Sequence, residues 1–414
     1  MKLAQLYGKK YLIPLILLNF FFTINFLVFF LQAEGYLNLH GDIITHKNLA
    51  LDMLHLWSVG HWSFEHPSGE IQYYPPILHL CFAFTFLLVG FLTGNLFTVQ
   101  RGVLALADIS QTIGVTASFI YVFIDMSLIN SLRCVLTYLL SYRITARRDV
   151  SILAAFLVFF NPFSFLLLHT GFFPTILSEM LAVCFVFVVY LQNEDLHQQR
   201  IWRDVLLFVT MLSLALTHIV SVAILFILAP LFAILLPRLR VKLTVFLLLS
   251  GFIAFVGFWS YALPVMRTYW APFINFPVPM KIQIDFLLQI NYMGGLLLFS
   301  LSTMGVIILL RTRHPASQIL IPWFLLHLSL PNILNLFSAI LWSERFWFMA
   351  IVPLSTLAAT TIGTYLNLIK SETIKNLTWC LFLIYLGCHT IIIAHALNLM
   401  WTYDWGEFLR LFPI

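Results

Sequence analysis

The sequence predicts an all-α integral membrane protein with about 13 transmembrane helices, arranged as one polytopic domain over residues 1–414. Hydrophobic residues make up 61% of the chain, and its mean hydropathy is +0.96. Apolar runs of about 18 residues or more recur along the sequence, and about 20 helical residues suffice to cross the hydrocarbon core of a bilayer. No soluble domain or internal repeat is visible.

The predicted spans follow the apolar runs in order. The first run is too long for the core of a signal peptide, so we expect it to be retained in the mature protein. Residues 204–236 are long for one helix and short for two. Basic clusters on both sides require an even number of crossings, so we predict a hairpin that turns near Thr217 and His218. The full set is 11–31, 75–95, 103–125, 129–146, 151–169, 173–192, 204–217, 219–236, 243–263, 287–310, 317–340, 346–368 and 377–398.

Lysine and arginine residues set the predicted orientation, because cytoplasmic loops carry an excess of them. A cytoplasmic N-terminus places 16 basic residues inside and five outside, and it puts the C-terminus outside. The net charge of +5 therefore reflects the excess of basic residues at the cytoplasmic face, where they contact membrane lipids, and does not indicate nucleic-acid binding. All five cysteines fall inside apolar runs, which argues against disulfides, a thiolate nucleophile or a zinc cluster.

The first outer loop, residues 33–74, holds five of the 13 histidines of a chain that is only 9% charged. From Asp42 onward its composition permits an amphipathic helix in the interface, with Asp42 and His46 one turn apart. Ordinary interfacial polar residues are the alternative explanation. An Asp/His pair at this spacing can also bind a divalent metal, but no third ligand follows at helical spacing. We therefore assign no metal ligand and leave a metal cofactor open. The second outer loop is 264–286.

Several short motifs lie near the outer ends of predicted helices. The first loop carries Gly41-Asp42 and His46, and it closes with Tyr-Tyr-Pro-Pro at 73–76, followed by His79. The shorter motifs are Gly-Phe-Phe-Pro at 171–174, Thr-His at 217–218, Phe-Trp at 258–259 with Pro264, and Glu-Arg-Phe at 344–346. Together, over about residues 1–365, they resemble in kind and order the motifs of bacterial members of the C-type glycosyltransferase superfamily, which are multispanning enzymes that use polyprenyl-phosphate-linked sugars. The chain departs from many members in lacking a soluble C-terminal domain and an Asp-x-Asp pair.

The resemblance implies an inverting transfer of a sugar from a polyprenyl-phosphate donor to a glycan, lipid or protein acceptor, at the outer face of a bacterial inner membrane. In that superfamily the acidic residue of the first loop is the base, which makes Asp42 the candidate catalytic residue. The other candidates support it (His46, Asp52, Glu70, Glu179 and His218), bind the donor phosphate (Arg345 and Lys47) or line the substrate cavity (Tyr73, Tyr74 and His79). Asp52 and Glu70 are also its competitors for the role of base.

The chemistry of the reaction accounts for these residue types. Inverting transfer needs a base for the acceptor hydroxyl and a cation for the departing phosphate. Arg345 suits the phosphate because a guanidinium matches its oxygens, although a surface ion pair with Glu344 explains the same residue. Arg267 is a further possible cation. An aromatic belt at the headgroup level is the alternative explanation for the paired tyrosines of the first loop.

Three ionisable residues fall inside predicted spans, and such residues carry function or find partners. Asp108 and Arg133 lie on adjacent spans, so we expect them to pair. Glu179 either faces an outward-opening cavity or makes buried hydrogen bonds, and His218 either contacts substrate or caps the hairpin turn.

Two other classes of function compete with the enzyme. A lipid-linked sugar flippase or another transporter would place charges near the midplane and show repeated halves, and a noncatalytic scaffold would keep only the fold. The polar residues crowd one outer loop instead, which favours the enzyme.

Overall fold

The structure is a computed structural model that describes part of the chain: residues 2–31, 46, 49, 50, 53, 76–92, 116–161, 168, 173–194, 201–260, 262–264, 295–336, 349–382, 384, 385, 387 and 388. These residues form helices joined by short turns, and no strand occurs among them. The all-α prediction is confirmed at this level.

Eleven α-helices make up the described part of the chain. They are α1 (Lys2–Leu31), α2 (Ile77–Leu92), α3 (Thr116–Thr145), α4 (Arg148–Phe159), α5 (Phe173–Glu194), α6 (Ile201–Ala215), α7 (Ile219–Leu235), α8 (Arg240–Ala254), α9 (Gly295–Arg311), α10 (Ser317–Leu336) and α11 (Ile351–Leu368). A 3-10 turn (Pro237–Leu239) precedes α8, and a π-helical turn (Phe255–Trp259) continues it. Residues 372–382 form a further helical segment.

Several of these helices have the length and composition of membrane spans. Five described segments are long and apolar enough to cross a bilayer: Leu12–Phe29, Val122–Thr145, Phe173–Glu194, Pro237–Trp259 and Ile351–Leu368. Four shorter apolar helices accompany them. Helix α8 exposes a stripe of apolar side chains at helical spacing, which suits lipid contact; its members are Val241, Val245, Leu248 and Phe252. These features identify an integral membrane protein. The predicted total of 13 spans depends on residues outside the described ranges.

One predicted boundary is wrong. The predicted spans 103–125 and 129–146 leave a turn between them, yet α3 runs without a break from Thr116 to Thr145. The polar residues Asp125, Ser127 and Asn130, at and near this predicted turn, lie buried inside the helix bundle. By contrast, the predicted hairpin turn near Thr217 is confirmed, because α6 ends at Ala215 and α7 begins at Ile219.

Helix α3 lies at the centre of the described bundle and contacts α1, α2, α4, α5 and α11. Phe29 of α1 stacks on Phe123 of α3, with 4.8 Å between the ring centroids. The same pair of helices is joined by a buried hydrogen bond of 3.2 Å from Asn130 Nδ2 to Asn25 Oδ1. Side-chain amides that pair across helices satisfy groups that hydrocarbon could not.

Helices α9 and α11 pack closely, because small residues face each other across the contact. A Cβ added at Gly305 would lie 2.3 Å from the backbone oxygen of Leu357. Ser302 Oγ donates to Leu354 O at 2.8 Å, and Thr361 Oγ1 donates to Leu301 O at 2.6 Å. The two backbones are therefore in direct contact.

The bundle has two chemically different ends. At the arginine end, Arg147 at the start of α4 binds Asn367 of α11, and Lys242 of α8 binds Asp204 of α6. The described basic residues of this end are Arg143, Arg147, Arg148, Arg203, Arg238, Arg240, Lys242, Arg311, Arg313, Lys370 and Lys375. The opposite end, called the histidine end here, contains His46, His79, Phe173, the 217–218 turn and Trp259. A segregation of basic residues to one end is the pattern that the positive-inside rule predicts.

Candidate functional site

A pair of buried histidines joins the first loop to α2. His46 Nδ1 lies 3.0 Å from His79 Nε2, and the two side chains are only 2% and 1% exposed. A hydrogen bond between two imidazoles requires one ring to donate its N–H and the other to accept. Ala50 and Met53, which follow His46 in the sequence, are buried as well. The first loop is therefore anchored in the bundle at His46.

The Gly-Phe-Phe-Pro motif contributes its second phenylalanine to the same place. The ring centroid of Phe173 lies 6.3 Å from that of His46 and 6.3 Å from that of Phe82 on α2. Phe29, near the end of α1, lies 6.4 Å away. Phe173 is fully buried, so α1, α2, α5 and the first loop all meet around this one ring.

The α6–α7 turn completes the histidine end. The backbone N–H of Ile77, at the start of α2, donates to Leu216 O at 3.3 Å. Trp259 Nε1 donates to Ala215 O at 2.7 Å, which attaches the π-helical turn after α8 to the same hairpin. Motifs up to about 200 residues apart in the sequence, from His46 to Trp259, therefore converge on one end of the bundle.

His218 acts as a helix cap in this turn. Its Nδ1 accepts a hydrogen bond of 3.2 Å from the backbone N–H of Val220, and its own N–H donates to Ser221 Oγ at 3.0 Å. This reciprocal arrangement is a capping box that satisfies otherwise unpaired groups at the start of α7. Of the two roles that the sequence left open, the structure supports the cap.

Arg133 and Glu179 form a fully buried ion pair between α3 and α5. The backbone N–H of Val352, in the first turn of α11, also faces the Glu179 carboxylate. A carboxylate is favourable at a helix N-terminus, where the helix dipole is positive. The pair thus ties three helices together. The expected partner of Arg133 was Asp108, which lies outside the described residues, and the described partner is Glu179.

Asp125 is a buried acidic residue that the sequence did not single out. Its side chain is 8% exposed, and its Oδ1 accepts a hydrogen bond of 2.6 Å from Thr85 Oγ1 on α2. Within the described residues, Asp125 Oδ2 has no hydrogen-bond partner. Asp125 is the last residue of the predicted span 103–125, and an acidic residue inside a span indicates a functional or paired group. It was missed because the predicted end of that span was misplaced.

The remaining candidate residues all lie outside the described part of the chain. These are Asp42, Lys47, Asp52, Glu70, Tyr73, Tyr74, Arg267 and Arg345. In the described part, no group of three or more His, Cys, Asp or Glu residues could hold a metal ion. The five cysteines are free thiols. No known protein family and no curated protein matches the sequence.

Proposed function

We propose that this protein is a membrane glycosyltransferase that moves a sugar from a polyprenyl-phosphate donor to an acceptor at the histidine end of the bundle. In this proposal the arginine end faces the cytoplasm of a bacterial cell, and the histidine end faces outward. The segregation of the described basic residues supports this orientation, because positive loops are retained inside.

The observation that carries the proposal is the contact of His46 with His79 and Phe173. His46 and His79 belong to the first-loop motif and Phe173 to the Gly-Phe-Phe-Pro motif, which are two of the five motifs that carry the resemblance to C-type glycosyltransferases. Their meeting at one end of the bundle is what a shared active site requires, and nothing in the hydropathy pattern demands it.

The chain geometry keeps Asp42 within reach of this cluster. Asp42 precedes His46 by four residues, and four residues span at most about 14 Å even when fully extended. Because His46 is fixed by burial, a carboxylate at position 42 can serve a substrate bound at the histidine end. We assign Asp42 the role of base, with His46 as a supporting residue.

Arg345 is constrained in a similar way from the other side. It precedes Met349 by four residues, and Met349 is 1% exposed at the start of α11. That start is tied to Glu179, which lies six residues, or about 9 Å, along α5 from Phe173. The Arg133–Glu179 pair therefore supports the start of α11, and Arg345 precedes that start by six residues in the sequence.

In the proposed reaction these side chains act directly on the two substrates. Asp42 takes the proton of the acceptor hydroxyl as its oxygen forms a bond to the anomeric carbon of the sugar. The bond from that carbon to the phosphate oxygen breaks on the opposite face, and the electron pair leaves with the polyprenyl phosphate. Arg345, with Lys47 as a further cation, stabilises the phosphate as its negative charge increases.

A lipid-linked sugar flippase is the second candidate, and the buried ionisable residues Asp125, Arg133 and Glu179 favour it. Two experiments test the candidates, and the second one separates them. Lipid extracts from cells without the protein should accumulate polyprenyl-phosphate sugars relative to cells with it, and either function predicts this. Purified protein in detergent micelles has no second compartment, so only a transferase would release polyprenyl phosphate there when donor and acceptor extract are added. Unchanged lipid extracts would contradict both functions.

A further inference from the structure

We propose that a cavity at the arginine end binds a glycerol phosphate group, that is, a phosphate ester with free hydroxyls. Such a group can come from an anionic phospholipid headgroup or from a soluble ester. The cavity lies at the opposite end of the bundle from the proposed active site, so this inference does not depend on the glycosyltransferase proposal.

The cavity has a volume of about 180 Å³ and lies between the ends of α3, α9 and α11. It is smaller than the roughly 300–1,000 Å³ of pockets for drug-sized ligands, so its occupant is small. Its wall is formed by Ile144, Thr145, Ile308, Leu309, Thr312, His314, Thr360, Gly363, Thr364 and Asn367. The turns on its two sides hold left-handed backbone at Ala146 (φ 55°) and Arg313 (φ 50°), which side chains other than glycine rarely adopt.

Three threonines present hydrogen-bond acceptors to the cavity. Thr312 Oγ1 donates to Ile308 O at 2.8 Å, and Thr360 and Thr364 donate in the same way to the carbonyl four residues earlier. A hydroxyl has one proton and two lone pairs. With the proton directed to the helix backbone, each oxygen is left to accept, and a ligand hydroxyl is a suitable donor.

Two other side chains present donors. The guanidinium of Arg147 donates to the Asn367 side-chain amide at 2.8 Å. Because a guanidinium cannot accept a hydrogen bond, the atom it contacts is the amide oxygen, and the NH₂ group is left to donate to the cavity. His314 Nδ1 accepts from the backbone N–H of Ala316 at 3.2 Å, so the imidazole proton lies on Nε2. Burial lowers the pKa of His314, which keeps the ring neutral near pH 7 with a single N–H.

The charge around the cavity is positive. Asp149 is paired with Arg147, and Glu194 lies within electrostatic range of His314. The basic residues within a few positions of the wall are more numerous, and they are Arg143, Arg147, Arg148, Arg311, Arg313 and Lys370. An anion is therefore favoured over a cation.

These requirements define the ligand class. An apolar group would leave the threonine, asparagine and histidine groups unsatisfied. Inorganic phosphate would accept hydrogen bonds from the asparagine and histidine donors and would suit the positive charge. It would provide few hydrogen-bond donors for the threonine oxygens. A glycerol phosphate supplies an anion for the donors and hydroxyls for the acceptors, and both sources of it occur where a membrane meets an aqueous compartment.

The test uses the full-length protein purified in a neutral detergent. Calorimetric titration with sn-glycerol 3-phosphate and with inorganic phosphate measures the soluble source. Native mass spectrometry after exchange with phosphatidylglycerol or phosphatidylcholine measures the lipid source. We expect tighter binding of glycerol 3-phosphate than of inorganic phosphate, or selective retention of phosphatidylglycerol, and whichever is stronger identifies the source.

Matched variants locate the site. Thr364→Val removes one acceptor at nearly constant volume and should weaken binding of the glycerol phosphate about 3- to 10-fold, while inorganic phosphate binding stays the same. Thr303→Val is its control, since Thr303 makes the same backbone hydrogen bond on α9 but is exposed. Asn367→Leu should weaken the binding of both anions. Arg238→Gln is its control: it removes a charge at the same end but away from the cavity, and it should leave both affinities unchanged. No binding of either ligand, or equal binding by the Thr364 and Thr303 variants, would overturn the proposal.

Discussion

The Glu179→Gln substitution should destabilise the protein strongly, because it breaks a fully buried ion pair while leaving one of its charges in place. Arg133 is 0% exposed and would keep its positive charge without an anionic partner. Breaking a buried pair from one side costs about 3–5 kcal/mol of unfolding free energy. The same change removes the carboxylate that faces the start of α11, so we expect the loosening to begin between α3, α5 and α11.

A neighbouring thiol gives this prediction a local assay. Cys134 is adjacent to Arg133 and fully buried, so a maleimide reagent reaches it only when this region opens. Labelling of Cys134, followed by peptide mass spectrometry, should be much faster in Glu179→Gln than in the parent. Cys380 is exposed and serves as the internal standard. Denaturant unfolding in detergent supplies the global free energy.

Two further variants separate charge from packing. Glu372→Gln breaks an exposed ion pair with Lys375 and should cost less than about 1 kcal/mol. The double change Arg133→Met with Glu179→Leu removes both buried charges and should recover most of the loss. The reasoning fails if Glu179→Gln unfolds like the parent, or if the double variant is as unstable as the single one. A stable double variant that also transfers sugar would assign Glu179 a purely structural role.

The remaining predictions concern packing and pH. Gly305→Ala places a methyl group against the backbone oxygen of Leu357 and should lower the free energy of unfolding in denaturant by about 1–3 kcal/mol. Gly257→Ala is the control, because an added methyl group there would meet nothing within 4 Å, and it should change stability by less than about 1 kcal/mol. Equal effects of the two substitutions would contradict direct backbone contact between α9 and α11. Burial raises the pKa of Asp149, but hydrogen bonds, chiefly from Arg147, outweigh burial and lower it overall. The carboxylate therefore stabilises the fold above its unfolded-state pKa of about 3.9, and this contribution is lost as the pH falls through the lower folded-state pKa. The melting-temperature difference between the parent and Asp149→Asn should accordingly shrink below about pH 4, and a difference that does not change with pH would refute this.

Helix positions could be predicted from the sequence because the bilayer sets the length of an apolar segment. The predicted spans 173–192 and 219–236 correspond closely to α5 and α7. The turn near Thr217 was predicted because basic clusters on both sides of residues 204–236 require an even number of crossings, whereas hydropathy alone did not distinguish one helix from two. The length of an apolar segment and the positions of the basic residues are both local features of the sequence, so they can be interpreted without knowing which helices become neighbours.

Contacts between helices could not be predicted in the same way. Asp125 and Asn130 are polar residues beside the predicted turn between spans 103–125 and 129–146. In the structure they hydrogen-bond to Thr85 and Asn25, which lie on other helices. The partner of Arg133 was likewise inferred from adjacent spans, whereas Glu179 is 46 residues away. Hydropathy reports transfer into the membrane and contains no information about which helices become neighbours.

The candidate site was predictable in its composition but not in its geometry. The motifs pointed to His46, His79 and Phe173, and the structure brings these three together. The role of His218 as a cap emerges only from the backbone conformation of the hairpin. Trp259 was noted as a motif residue, but its hydrogen bond to Ala215 depends on the π-helical turn, which no sequence signal indicated.

The most direct test of the central claim is the rate of sugar transfer by purified Asp42→Asn protein. Asparagine keeps the size of aspartate but cannot accept the proton, so turnover should fall by about two to four orders of magnitude while the donor lipid still binds. Asp52→Asn and His46→Ala should cost less, because these residues support the base. Transfer at the parental rate by Asp42→Asn would contradict the assignment, and undiminished activity in Asp52 and Glu70 variants as well would contradict a base in the first loop.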